Sequence, residues 1–174
     1  MNYKTYCKIG AVFTIILGTI LHFAYDFSGN SDFVAIFSAV NESTWEHLKL
    51  LFFPVMIFAI AEYFIYGKNL PNFWASKVIA LLLGMLTIIV VFYTYTGVFN
   101  GSNSIVNIIL FIVSAVLTYW LNCRFLENGW FESKIINKTA ISVTIILFMM
   151  FWVYTFHTPL LNIFKDPVTN GYGI

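Results

Sequence analysis

The stretch Ala75–Gly97, ASKVIALLLGMLTIIVVFYTYTG, decides the fold. It is longer than the roughly 20 residues a helix needs to cross a hydrocarbon core of about 30 Å. Leu, Ile and Val dominate it. Backbone held in lipid must satisfy its own polar groups, so it is helical or belongs to a closed barrel. A continuous apolar run lacks the alternation of a barrel strand. Four further stretches read the same way, at approximately 9–25, 48–66, 104–123 and 139–156. The expectation is an all-α integral membrane protein, with five transmembrane helices in a single membrane domain over residues 1–174.

Composition agrees. The chain is 60% hydrophobic and 10% charged, with mean hydropathy +0.83, far from the roughly one-quarter charged content of a soluble domain. Nine Lys and Arg with eight Asp and Glu are too few to cover a soluble surface, and a net charge of +1 offers no basic field to nucleic acid. Lys4 and Lys8 precede the first apolar run, but that run ends Leu-His-Phe-Ala-Tyr-Asp without a small-residue cleavage site, so an uncleaved first span is expected. Cys7 has no lipobox context.

The basic residues set an expected orientation. Lys4, Lys8, Lys68, Lys77, Arg124, Lys134 and Lys138 fall on one side, against Lys49 and Lys165 on the other. Cytoplasmic loops carry the Lys/Arg excess, which puts the N-terminus inside, the C-terminus outside and the protein in the cell membrane. Cys7 and Cys123 then lie near the reducing face, where no disulfide is expected.

The loops differ in character. Gly67–Pro71 is a turn, Asn100–Asn103 is short and uncharged, and Arg124–Lys138 is a connector with Trp130 and Phe131 as headgroup anchors. The first loop on the opposite side is long and not polar in its middle. Phe33, Ile36, Phe37 and Val40 stand at i, i+3, i+4 and i+7, which predicts a short interfacial or re-entrant helix near 32–40, a natural lid. Then comes Asn-Glu-Ser-Thr-Trp-Glu-His-Leu-Lys, residues 41–49, in which Ser43 and Glu46 have capping-box spacing. A cap does not explain why Glu42, Glu46 and His47 all crowd one helix start.

Val40–Pro54, with its Asn-Glu-Ser-x-Trp-Glu-His-Leu-Lys core, and the tail Asp166–Ile174 resemble segments of an uncharacterised family of small multi-span prokaryotic membrane proteins. The resemblance implies architecture and carries no activity.

All three histidines and five of the eight acidic residues fall on the side expected to face out. His22 and Asp26 are four apart on one helical face, His47 opens the second span, and His157 closes the fifth, followed by Pro159. Three imidazoles with carboxylates at similar depth match the ligand types of zinc or another divalent transition metal. His22, His47 and His157 are therefore expected as ligands, with Asp26, Glu42 and Glu46 as acid/base or ligand-orienting groups. No HExxH or paired-Cys spacing supports this set. Glu62 lies within the second span and is expected to pair with Lys68 or Lys77. Tyr93–Thr96 read as part of an aromatic belt.

Two function classes follow from these residues. One is an outward-facing, metal-dependent hydrolase or transferase acting on a lipid or small amphiphile. The other is a solute-binding or transport subunit without chemistry of its own, with haem held between two histidines as a variant. Walker, dinucleotide and nucleophile-elbow motifs are absent, and no internal repeat is evident. The tail Asp166–Ile174 has dense turn chemistry, and it is expected to fold back over the mouth with Asp166 or Tyr172 near the histidines. Oligomeric state is left open.

Overall fold

The computed structural model describes residues 3–174. Six α-helices follow one another: α1 (Tyr3–Phe27), α2 (Asp32–Ala35), α3 (Thr44–Ile65), α4 (Phe73–Phe99), α5 (Ser104–Glu127) and α6 (Lys134–Phe156), with 3-10 turns at Gly67–Asn69 and Asn162–Phe164. All but α2 are long and apolar enough to cross a membrane. The only β pairing among the described residues is an isolated bridge between Lys165 and Tyr172. The five long helices extend past the predicted spans, because charged or polar end residues such as Tyr3–Lys8 lie outside the apolar run yet still complete helical turns.

Helix α3 packs against α1 and α4, α1 also packs on α5, and α4 contacts α5 and α6. An apolar helix without a polar face belongs inside a bundle, and α3 buries Leu48, Leu51, Phe52, Val55 and Ala59 almost completely. Outward faces carry Ile9, Val12, Ile16 and Ile20 on α1, and Ile108, Ile109, Ile112 and Val113 on α5, all exposed. Such faces are stable against lipid and not against water.

Small residues set the helix spacing. A Cβ at Gly84 would lie 1.9 Å from Thr118 Oγ1, so α4 and α5 meet where only glycine fits. A Cβ at Gly18 would lie 2.6 Å from the Leu50 carbonyl. That carbonyl has no helical donor, because Pro54 stands four residues on. The packing of α1 on α3 thus uses the one turn of α3 that proline loosens.

Among the described residues two ion pairs are buried, one near each end of α3. Lys77 of α4 donates to Glu62, whose other oxygen accepts from Tyr66 Oη at 2.6 Å. Of the two expected partners for Glu62, the structure selects Lys77. The second pair, Lys49 with Glu46 at 2.6 Å, sits where the first long loop enters the bundle.

That loop differs from its periodicity. Helix α2 stops at Ala35 instead of running to Val40. Lys49 Nζ donates to the carbonyls of Ala35 (2.9 Å) and Ser38 (3.2 Å), and Glu46 Oε2 accepts from the Val40 amide at 3.1 Å. Side chains of α3 thereby satisfy backbone groups that a longer helix would have paired internally. Ala35 and Ser38 are fully buried, and Phe37 stacks edge-on against Phe53 at 5.1 Å. The segment is a plug in the bundle end, with Asp32 and Phe33 left exposed.

Candidate functional site

Helix α1 carries His22 one turn before its end, and the first turn of α3 carries His47. Glu42 stands just ahead of the α3 cap. The three offer ligand atoms that all lie within 4.8 Å of one another. His22 Nε2 is 3.7 Å from Glu42 Oε1, and His47 Nε2 is 3.4 Å from Glu42 Oε2. The two rings meet edge-on with centroids 5.1 Å apart. All three side chains are partly exposed, at 30%, 46% and 24% for His22, Glu42 and His47.

The tautomer of His47 follows from its contacts. Its Nδ1 lies 2.9 Å from the Ser43 carbonyl, which can only accept. Nδ1 therefore carries a proton and Nε2 is the nitrogen that faces Glu42, the arrangement by which a backbone carbonyl orients a metal-binding imidazole. His22 Nδ1 is buried without a partner.

The local sequence fixes Glu42 from both sides. Ser43 Oγ accepts the Glu46 amide at 3.3 Å, which is half of a capping box. The other half is missing, because the Glu46 carboxylate is taken by Lys49; the Ser43 amide is instead accepted by Asn41 Oδ1 at 2.9 Å. Asn41 Nδ2 in turn donates to the Gly173 carbonyl at 2.9 Å, tying the tail to this loop.

The tail folds back as a built turn. The Asp166 carboxylate accepts from the amides of Val168 (2.7 Å) and Thr169 (3.3 Å) and from the Thr169 hydroxyl (2.9 Å). Phe164 packs against Trp45 at 4.9 Å, and Tyr172 rests on the core. Burial alone would raise the Asp166 carboxyl, but hydrogen bonds from Val168, Thr169 and the Glu42 backbone outweigh it and hold it below its ordinary value. Asp166 therefore stays a carboxylate beside Glu42.

Three expected members of the site are placed elsewhere. His157 caps the end of α6, exposed, and lies outside the group formed by His22, Glu42 and His47. Similar depth did not bring it inward: α6 meets α3 through Phe151 and Thr155, which face Trp45 and Lys49, and His157 stands exposed at the C-cap beyond them. Asp26 is exposed on the last turn of α1, also outside the group. Glu46 is 2% exposed and committed to Lys49, with Thr155 Oγ1 at 3.5 Å. It anchors the loop and is not free to move protons at the site.

Below Glu42 and His47 a small cavity of about 40 Å³ lies between α3, α4 and α5. Thr44 and Asn107 add polar lining, and Ile88, Phe92, Leu110 and Phe111 make apolar walls. Asn107 Oδ1 also accepts from Tyr95 Oη, so Tyr95 staples α4 to α5. Sequence reasoning missed Asn107, whose only signal is an amide at the start of an apolar span.

A family model matches residues 1–174. The chain belongs to a family of unknown function, DUF6512. No curated protein and no solved structure matches it. Membership in DUF6512 accords with the resemblance drawn from residues 40–54 and 166–174 at the level of an uncharacterised family spanning the whole chain. It assigns no chemistry, so any reading of the site rests on His22, Glu42 and His47 themselves.

Proposed function

We propose that His22 Nε2, His47 Nε2 and Glu42 bind a divalent transition metal, zinc by ligand type, and that the site serves a hydrolase or transferase acting on a lipid or small amphiphile. The observation that carries this is the convergence of three ligand atoms within 4.8 Å, one of them on a ring already oriented by a backbone carbonyl. A tetrahedral zinc with bonds of about 2.0–2.1 Å holds its ligands about 3.4 Å apart. The imidazole–carboxylate separations of 3.4 and 3.7 Å run to different oxygens of Glu42, so a single ion requires Glu42, which sits on a loop, to turn one oxygen between the two rings. Two histidines and one carboxylate are a known catalytic zinc set. Such an ion supplies a Lewis acid and a bound water that ionises near neutral pH.

The chain's own residues divide the remaining tasks. The Ser43 carbonyl orients His47, and Asn41, by accepting the Ser43 amide, holds the turn that carries Glu42. Asp26, one turn beyond His22 and exposed, is the free carboxylate left for proton transfer. The small cavity can take a polar group near Glu42, Thr44 and Asn107, and an amphiphile's chain would lie outside it, in the lipid. Glu42 between the two imidazoles argues against haem. The site faces outward in this reading. Lys49 and Lys77 are buried and paired, which leaves Lys4, Lys8, Lys68, Arg124, Lys134 and Lys138 at one end against Lys165 at the other.

Metal analysis of protein purified without chelators tests the centre. We expect close to one equivalent, and zinc affinity at least about a hundredfold weaker in His47→Ala than in wild type. Absent stoichiometric metal, with a zinc titration insensitive to His47→Ala, refutes it. Turnover of long-chain esters or phosphoesters by the loaded protein separates an enzyme from a binder, which would give ligand-dependent thermal stabilisation without product.

A further inference from the structure

The end of the bundle opposite the histidines carries a second, larger groove. It lies between the start of α1 and the last turns of α5 and has a volume of about 320 Å³. Lys4, Lys8 and Arg124 stand in its lining, over a floor that includes Ala11 and Val116. The Arg124 guanidinium is 5.7 Å from the centre of the Trp120 ring, so this cation is planted on an aromatic face that also lines the groove. Glu127 is the one carboxylate in the lining, 3.8 Å from Lys4, whose side chain is 70% exposed. An exposed pair of this kind is weak and screened. Three cations against one carboxylate leave two net positive charges at the rim.

We propose that this groove binds an anionic phospholipid, its phosphate among Lys4, Lys8 and Arg124 and an acyl chain along Ala11 and Val116. Charge complementarity selects the headgroup. The chain's path is set by what continues from the groove: Val12 and Ile16 on α1 and Val113 and Ile109 on α5 are exposed apolar residues that only lipid covers stably. Trp120 stands beside the cations, as an interfacial aromatic does at headgroup depth. A free phosphate would meet the same cations and gain nothing from the apolar floor. The occupant is therefore the intact lipid. This site is independent of the histidine cluster at the other end of the bundle.

Thermal unfolding of the full chain in detergent micelles doped with phosphatidylglycerol, or with phosphatidylcholine of the same acyl chains, is the test. Phosphatidylglycerol should bind on the order of tenfold more tightly, since each basic side chain near an anionic lipid contributes several-fold. The triple variant Lys4→Gln, Lys8→Gln, Arg124→Gln should lose the preference. The charge-keeping triple Lys4→Arg, Lys8→Arg, Arg124→Lys should retain most of it. Lys134→Gln with Lys138→Gln, at the same end and outside the groove, should leave it unchanged. A photoreactive phosphatidylglycerol with its reactive group in the acyl chain should label peptides containing Ala11 or Val116 in the wild-type protein, whatever the folding of the variants. Equal binding of the two lipids, equal loss in the Lys134/Lys138 control, stabilisation by glycerol phosphate alone, or labelling confined elsewhere would each overturn the proposal.

Discussion

Replacing Lys49 with methionine removes the ammonium that joins α3 to the plug segment and keeps the side-chain volume. Lys49 is fully buried, and its Nζ contacts Glu46 at 2.6 Å, the Ala35 and Ser38 carbonyls at 2.9 and 3.2 Å, and Thr155 Oγ1 at 2.5 Å. In Lys49→Met the Glu46 carboxylate stays buried with the Val40 amide at 3.1 Å and Thr155 at 3.5 Å as its remaining partners. Breaking a buried pair by removing one partner costs about 3–5 kcal/mol. Each carbonyl left without a donor adds about 1 kcal/mol. Polar contacts measured within membranes are smaller, about 0.6 kcal/mol on average, because the unfolded chain in lipid finds other partners. Balancing these, we expect a total loss of about 3–5 kcal/mol. Adding Glu46→Gln to Lys49→Met removes the stranded charge, so the double variant should recover about 2 kcal/mol relative to the sum of the singles. Equilibrium unfolding in mixed micelles measures both quantities. Alkylation of a cysteine placed at Ser38 adds a local readout, because that position is fully buried and should become reactive when the plug loosens. A loss under about 1 kcal/mol in Lys49→Met, or strict additivity in the double variant, would refute the pairing as the anchor of this loop.

Two further outcomes follow from the same geometry. Deleting residues 166–174 removes both the Gly173 carbonyl that Asn41 reaches and the Asp166 carboxylate near Glu42; zinc affinity should fall about tenfold with the spans intact, and unchanged affinity in a competition titration would show that the tail does not position Glu42. In sealed cells, an impermeant thiol reagent should modify Ser102→Cys and spare Ser133→Cys, and labelling of both from the same side would overturn the expected topology.

The spans were legible because lipid imposes one rule on every residue between its surfaces, and that rule is visible one segment at a time. Ala75–Gly97 needs no partner to be read as helix. The helix over 32–40 is shorter than its periodicity predicts, because the stripe of Phe33, Ile36, Phe37 and Val40 is compatible with a helix while the groups that end it come from α3. No periodicity encodes a lysine fourteen residues away reaching the Ala35 carbonyl. Glu46 shows the same competition, since Ser43-x-x-Glu46 satisfies a capping pattern and the carboxylate nonetheless goes to Lys49. Among the histidines, sequence shows depth along each helix and says nothing of which helices touch. His22 and His47 share depth on the packed pair α1 and α3, whereas α6 meets α3 through Phe151 and Thr155 and leaves His157 exposed beyond its last turn.

That distinction explains why Glu42 completes the group although no helix carries it. His22 and His47 sit on long helices whose separation is fixed by the close approach at Gly18, so neither imidazole can shift far without opening the α1–α3 contact. A third ligand must come to them. Glu42 lies between the plug, held by Glu46 and Lys49, and the α3 cap, held by Ser43 and Asn41, so its backbone is pinned at both ends while its carboxylate remains nearly half exposed. A site in which two ligands are rigid and the third turns on a pinned backbone can tighten around an ion without moving a helix. The buried Lys49 pair therefore contributes to the site, because it fixes the loop from which Glu42 reaches the two rings.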